Sequence, residues 1–99
     1  DERAFRRVAH REGWRTLTGE AGLARTWGDC YGYLLVATGR AEVMVDPVLN
    51  PWDIACFLPI IEEAGGVVTD LAGNRTAFGG NAIATNRTLA ESVREFFDA

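Results

Sequence analysis

The chain has 99 residues and a formal net charge of −4, and 47% of its residues are hydrophobic, among them three Trp and five Phe. This length allows one domain, and the apolar content excludes a chain that is disordered by composition. The acidic balance disfavours a nucleic-acid partner, because binding to a phosphate backbone requires a basic patch. No apolar run approaches the ~20 residues of a membrane span, so we expect neither nucleic acid nor a membrane as a partner.

The first half of the chain shows helical and strand patterns separated by turn signals. The predicted elements are a charged amphipathic helix at 2–11, a loop at 13–22 with room for a short strand at 14–17, a strand at 23–27, a helix from 29 to about 38 closed by Gly39, and a buried strand at 41–45. Gly39 fits the end of its helix because glycine readily adopts the left-handed conformation of a C-cap.

The second half continues the alternation. The predicted elements are a helix at 51–64, a strand at 67–69, a turn at 70–74, a Gly-rich loop at 74–81, a strand at 82–85 and a helix at 88–97 capped by Asn86 or Thr88. Helices that alternate with strands indicate an α/β domain in which a layered sheet has flanking helices.

The helix predicted at 51–64 has well-defined ends. Asn50 is a good N-cap, Pro51 suits the first helical position, and Asp53 stands where the acidic member of a capping box belongs. Pro59 should kink the helix or remove one of its hydrogen bonds, and the Gly-Gly pair at 65–66 supplies the C-cap.

This helix is apolar on more than one side, since Trp52, Ala55, Cys56 and Ile60 add to the periodic core positions. Such a helix must be covered on both sides, which 99 residues can barely supply. We therefore expect an exposed apolar face where a further part of the protein would pack. Cys56 is interpreted as a reduced residue of the core.

Three carboxylates stand at element ends and have two readings each. Asp53 can cap its helix, bind a metal, or do both. Asp46 can simply end a strand before Pro47, and Asp29 can cap the following helix. Strand ends and helix N-termini are also where α/β proteins build their sites, and spacing alone does not decide between these readings.

Several segments together resemble the inositol monophosphatase superfamily, which comprises magnesium-dependent phosphomonoesterases. The matching segments are Trp-Asp-Ile-Ala at 52–55, Ile-Ile-Glu-Glu-Ala-Gly-Gly-Val-Val-Thr-Asp at 60–70, Gly-Asp-Cys-Tyr-Gly-Tyr at 28–33, 36–46 and 82–86. The likeness runs from about Leu23 to Phe97. The loop at 28–33 is more similar to the histidinol-phosphate phosphatase branch than to inositol monophosphatases proper.

The resemblance implies a fold, a cofactor and site residues. The fold would be the carboxyl-terminal half of an αβαβα sandwich. Asp53 would bind one Mg²⁺, while Asp46 and Asp29 would contact the non-phosphate part of the substrate, where an Asp suits a cationic amine or a sugar hydroxyl. Two or more Mg²⁺ would orient the phosphate and activate water.

The family's first signature, a Glu and an Asp-Pro-x-Asp-Gly-Thr segment, is not in this sequence; Asp46-Pro47 is followed by Val48-Leu49. We therefore interpret the chain as the carboxyl-terminal portion of a phosphatase. By itself it is expected to be inactive, with the general base in an amino-terminal half or a companion chain. A homodimer in the cytoplasm is expected.

Histidinol phosphate, an intermediate of histidine biosynthesis, is the favoured substrate. Another phosphatase of the family, acting on an inositol phosphate, a sugar phosphate or a nucleotide, is the alternative within the same class. A non-catalytic assembly module with the same fold is the alternative of another class.

Overall fold

The computed structural model describes residues 4–5, 7–21 and 31–97. For residues 31 and 34 it describes the main chain but not the side chain. Its elements are α1 (Val8–Glu20), α2 (Tyr31–Ala37), β1 (Val43–Asp46), α3 (Pro51–Ile54), α4 (Phe57–Glu63), β2 (Gly66–Thr69), β3 (Ala82–Asn86) and α5 (Ala90–Glu95). The predicted mixed α/β class is confirmed. The strand predicted at 23–27 lies outside the described residues.

The three strands form one antiparallel sheet in the order β1-β3-β2. In the register, Val45 is opposite Ile83 and Val68 is opposite Ala84. The last strand in the sequence therefore lies in the middle, where four of its five residues are buried. Because Asp46 is opposite Ala82, β1 ends beside the start of the central strand.

Alternation along the strands separates two hydrophobic clusters, since successive side chains point to opposite faces of a sheet. The α2/α4 face carries the cluster Tyr33, Val36, Leu49, Ile54, Phe57, Ile61, Val68, Ala77, Ala82 and Ala84. The α1/α5 face carries the cluster Phe5, Leu71, Ile83, Val93 and Phe97, with Trp14, Leu17, Val43 and Val45 packed against it.

The predicted loop at 13–22 and strand at 14–17 are wrong, because α1 runs through this segment. The two glycines within α1, Gly13 and Gly19, are typical helix breakers in a sequence. Gly13 nevertheless has a packing role, because a Cβ there would stand 1.9 Å from the main-chain oxygen of Phe96. Glycine thus lets α1 approach the end of α5 closely, and burial of this contact outweighs the ~1 kcal/mol that glycine costs in a helix.

The single helix predicted at 51–64 is interrupted, with α3 ending at Ile54 and α4 beginning at Phe57. Pro59 explains the break, because it has no N–H to donate to the carbonyl of Ala55. Both predicted ends are confirmed. Asn50 and Asp53 form the capping box, and Gly65 has a φ of +89° after α4, a conformation that favours glycine.

One side of the α3–α4 segment is exposed. The side chain of Trp52 is 75% exposed and that of Ile60 is 46% exposed. The expectation of an exposed apolar face is therefore confirmed for the chain as described. The interpretation of Cys56 as a core residue is wrong, because Cys56 is also exposed and reduced. It lies four residues after Trp52 and four before Ile60, the spacing that places side chains on one side of a helix.

Candidate functional site

Two of the three predicted site carboxylates lie at neighbouring element ends. Asp46 is the last residue of β1, and Asp53 lies in the first turn of α3. The connection between them is held against the sheet, because the Leu49 amide donates to the main-chain oxygen of Gly80 at 2.9 Å and the Leu49 side chain is buried. The negative charge of Asp53 contributes to a raised pKa of Asp46, so the two carboxylates lie within electrostatic reach of each other.

The exposed carboxylate of Asp53 caps α3 from within. Its Oδ2 accepts a hydrogen bond from the Asn50 amide at 3.0 Å, while the Asp53 amide donates to the main-chain oxygen of Asn50 at 3.0 Å. A carboxylate has two oxygens with about four acceptor positions, so this bond uses only part of its capacity. The capping role is thus observed, and it leaves room for a cation.

Asp46 is held in a partly buried position between polar groups. The Tyr33 hydroxyl donates to its Oδ2 at 3.3 Å. Burial is the main cause that raises the pKa of Asp46 above its usual value, and the charge of Asp53 raises it further. Hydrogen bonds from the Tyr33 hydroxyl and the Val48 amide act in the opposite direction, because they stabilise the ionised carboxylate.

Tyr33 is the site residue that sequence reasoning missed. Its side chain is 1% exposed, and its ring stacks on Phe57 with centroids 5.5 Å apart and planes 26° apart. Burial, followed by the charge of Asp46, raises the pKa of Tyr33 far above its usual value, so the phenol stays protonated and can donate. The only signal for this role in the sequence is that a tyrosine stands at a core position of a predicted helix. A buried tyrosine hydroxyl normally has a hydrogen-bond partner, so a polar group is expected nearby.

Asp29, the third predicted substrate contact, lies outside the described residues, so its predicted role stays a prediction. Among the residues that the structure does describe, no three His, Cys, Asp or Glu side chains are grouped so as to hold a metal ion. The carboxylate of Asp53, the predicted metal ligand, offers the oxygen donors that Mg²⁺ prefers. A single carboxylate is too few for a complete site, so the predicted metal would need ligands from other parts of the protein.

Comparison with known proteins identifies the family of this chain. The profile described as "Inositol monophosphatase family" matches residues 2–98. The chain belongs to the inositol monophosphatase family. It is 52% identical over 75 residues to a histidinol-phosphatase of Chlorobaculum parvum, covering 75% of this chain and 29% of that protein. It is 37% identical over 83 residues to a histidinol-phosphatase of Mycobacterium tuberculosis, covering 84% of this chain and 32% of that protein.

The fold agrees with this family. An inositol monophosphatase from Zymomonas mobilis superposes with a TM-score of 0.85 at 24% identity, over 98% of this chain and 39% of that one. The chain thus spans about three tenths of the length of the curated relatives that it matches. Within the described part of this family member, no helix is long and apolar enough to cross a membrane.

Proposed function

We propose that this chain contributes part of the active site of a Mg²⁺-dependent phosphomonoesterase that hydrolyses histidinol phosphate in histidine biosynthesis, in the cytoplasm. The observation that carries the proposal is the placement of Asp46 and Asp53 within electrostatic reach of each other on the frame of this family. The resemblance to two histidinol-phosphatases supports the choice of substrate.

In this proposal Asp53 holds a Mg²⁺. The Asn50 amide that binds its Oδ2 orients the carboxylate, because a hydrogen-bonded metal ligand is fixed in direction and better pre-organised than a free one. When bound, the ion supplies charge neutralisation for the phosphate and a more acidic water. Asp53 itself supplies a negative charge and fixes the place at which the ion binds.

Asp46 and Asp29 contact the alcohol part of the substrate. Histidinol phosphate carries an ammonium group on that part, and a carboxylate can bind it through charge-assisted hydrogen bonds. Partial burial of Asp46 strengthens such a contact, since charges interact more strongly where water is partly excluded. The Asp29 assignment follows only from the resemblance of its loop to the histidinol-phosphate phosphatase branch.

The general base and the remaining metal ligands are proposed to come from outside these 99 residues, from another portion of the same polypeptide or from a companion chain, in a homodimeric enzyme. Below, "complete phosphatase" means this chain together with the segment that bears the Asp-Pro-x-Asp-Gly-Thr motif. The exposed Trp52 and Ile60 supply an apolar surface for that segment to cover.

A panel of phosphate esters tests the proposed substrate. The complete phosphatase should hydrolyse L-histidinol phosphate with a higher kcat/KM than inositol 1-phosphate, fructose 1,6-bisphosphate or a nucleotide 3′-phosphate, and only with Mg²⁺ present. A preference for one of the other esters would reject histidinol phosphate while keeping the phosphatase. Absence of turnover on every ester would favour the non-catalytic assembly module.

A further inference from the structure

We infer that Tyr33 is a positioning residue for substrate selectivity: its hydroxyl holds one oxygen of Asp46, so that the other oxygen is presented to the alcohol part of the substrate. The inference rests on the proposed function of Asp46 and deepens it. It adds a residue whose effect would act through Asp46.

The first support is the way that Tyr33 is fixed. Its ring is buried to 1% exposure and stacks on Phe57, the first residue of α4. A side chain packed in this way occupies one rotamer. The hydroxyl is therefore a rigid donor, and Asp46 Oδ2 is its acceptor at 3.3 Å, a long bond compared with the usual ~2.8 Å.

The second support is the close packing of α2 on β1. A Cβ on Gly32 would stand 2.3 Å from Sδ and 3.1 Å from Cγ of Met44. Met44 and Asp46 are two residues apart on β1 and share one face, the face that α2 covers. The absence of a side chain at Gly32 thus lets α2 approach closely enough for the next residue, Tyr33, to reach the end of the strand.

The third support is electrostatic. The hydrogen bond from Tyr33 lowers the pKa of Asp46 against the rise that burial and the Asp53 charge cause. It therefore favours the ionised carboxylate, which is the form that binds an ammonium group. The Val48 amide supports the same carboxylate from the following loop. Both donors stabilise Asp46, but only Tyr33 does so through a side chain that can be changed by substitution.

The test is a double-mutant cycle in the complete phosphatase, with Tyr33→Phe, Asp46→Asn and the two combined. Phenylalanine keeps the buried ring and removes only the hydroxyl. KM for L-histidinol phosphate should rise about tenfold in Tyr33→Phe, because loss of a hydrogen bond to a charged group usually weakens binding by about this factor or more. The kcat and the Mg²⁺ concentration for half-maximal activity should stay unchanged, and the combined variant should match Asp46→Asn alone.

Two comparisons separate positioning from a structural role. With phenyl phosphate, whose alcohol part carries neither an amine nor a hydroxyl for Asp46 to bind, Tyr33→Phe should leave KM unchanged. Thr85→Val, which removes another fully buried hydroxyl on the opposite face, should lower Tm while leaving KM unchanged for both esters. An unchanged KM for histidinol phosphate in Tyr33→Phe, an equal rise for both esters, or effects that multiply in the combined variant would each overturn the inference.

Failure of the proposed substrate is recognised separately, in the wild-type enzyme. If the wild-type enzyme prefers another ester, the cycle is measured on that ester. The positioning role would then still be supported if Tyr33→Phe raises KM and the combined variant has the same KM as Asp46→Asn. It would be rejected if the two substitutions raise KM independently of each other.

Discussion

The charged side chains on the two faces of the sheet have different surroundings. On the α1/α5 face, the guanidinium of Arg94 donates to the hydroxyls of Thr69 at 2.6 Å and Thr85 at 2.9 Å. It also donates to the main-chain oxygens of Val67 and Ile83. This one cation binds two strands and its own helix with many hydrogen bonds, although partial burial lowers its pKa.

On the α2/α4 face, two negative charges are kept near each other instead. The pKa of Asp46 is raised by burial and by the charge of Asp53. Burial and like charges that perturb a carboxylate in this way are common at functional sites. The difference shows that the charged group on the α1/α5 face is fully hydrogen-bonded within the protein, whereas the cation proposed for the α2/α4 face would have to come from outside the described residues.

The largest expected effect concerns the incompleteness of the α2/α4 face. The purified 99-residue chain should show no Mg²⁺-dependent hydrolysis of phosphate esters, because its described carboxylates do not form a three-ligand metal site. The measurement is phosphate release with L-histidinol phosphate and Mg²⁺, and the complete phosphatase assayed in parallel is the control. Turnover by the chain alone would contradict the proposal that the site is shared.

The next effect separates capping from metal binding at Asp53. Asp53→Asn keeps an oxygen that can accept the Asn50 amide, so the stability loss should stay below the ~0.5–2 kcal/mol of a lost cap. It removes negative charge, so kcat in the complete phosphatase should fall ~10²-fold or more. The measurement is kcat against Mg²⁺ concentration, with Tm followed in parallel.

Asp46→Asn is the matched control for that experiment, because it also neutralises a carboxylate. It should raise KM and weaken selectivity while leaving Mg²⁺ dependence nearly unchanged. If Asp53→Asn melts early but keeps full activity when folded, Asp53 is only a cap, and the metal assignment fails.

A smaller effect is expected on the α1/α5 face. Arg94→Met removes five donated hydrogen bonds and should destabilise the protein by about 3 kcal/mol or more, since each lost bond costs ~0.5–1.5 kcal/mol. Arg87→Met, at an exposed position just before α5, is the control and should change stability by less than about 0.5 kcal/mol. Chemical denaturation measures both. Equal losses in the two variants would show that the network does not stabilise this face.

The smallest effect is a pH dependence of stability on the α2/α4 face. Because burial and the Asp53 charge raise the pKa of Asp46 above its ordinary 3.8, the folded chain binds this proton more tightly than the unfolded chain does. The contribution of Asp46 to stability therefore decreases as pH rises from the unfolded pKa through the folded one.

Asp46→Asn removes this titration and keeps an acceptor for the protonated Tyr33 hydroxyl. The difference between the Tm of Asp46→Asn and the Tm of the wild-type chain should therefore increase as the pH is raised from about 4 to about 7 in metal-free buffer. Melting curves over that interval measure the difference. Parallel Tm profiles would show that the Asp46 carboxylate is solvated well enough to titrate normally.

Local interactions explain which parts of the fold could be predicted. The capping box of Asn50 and Asp53 involves residues three apart. The end of α2 is also local: the Gly39 amide donates to Val36 and the Arg40 amide to Leu35, with φ of +77° at Gly39. The predicted cap of the final helix is wrong: α5 begins at Ala90 with Leu89 as its N-cap and no side-chain cap bond, although Asn86 Oδ1 accepts the Leu89 amide at 2.8 Å in the turn before the helix.

Contacts between distant residues explain what could not be predicted. The close approach of Gly13 in α1 to the main chain of Phe96 joins residues far apart in the sequence, and no local pattern reveals it. The pairing of Tyr33 with Asp46 joins residues thirteen apart in the sequence. The roles of Asp46 and Asp53 came from a resemblance, and they stay proposals to be tested by the substitutions above.

The sequence by itself determined the capping box of Asn50 and Asp53, the glycine ends at Gly39 and Gly65, the alternation of helices with strands and the family, because caps, turn glycines and motifs act over a few residues. Only the tertiary structure decided which side of the α3–α4 segment is buried, that α1 continues past Gly13, and that the Tyr33 hydroxyl supports Asp46. Those features depend on the packing of helices against opposite faces of the sheet, where burial and close approach outweigh local preference.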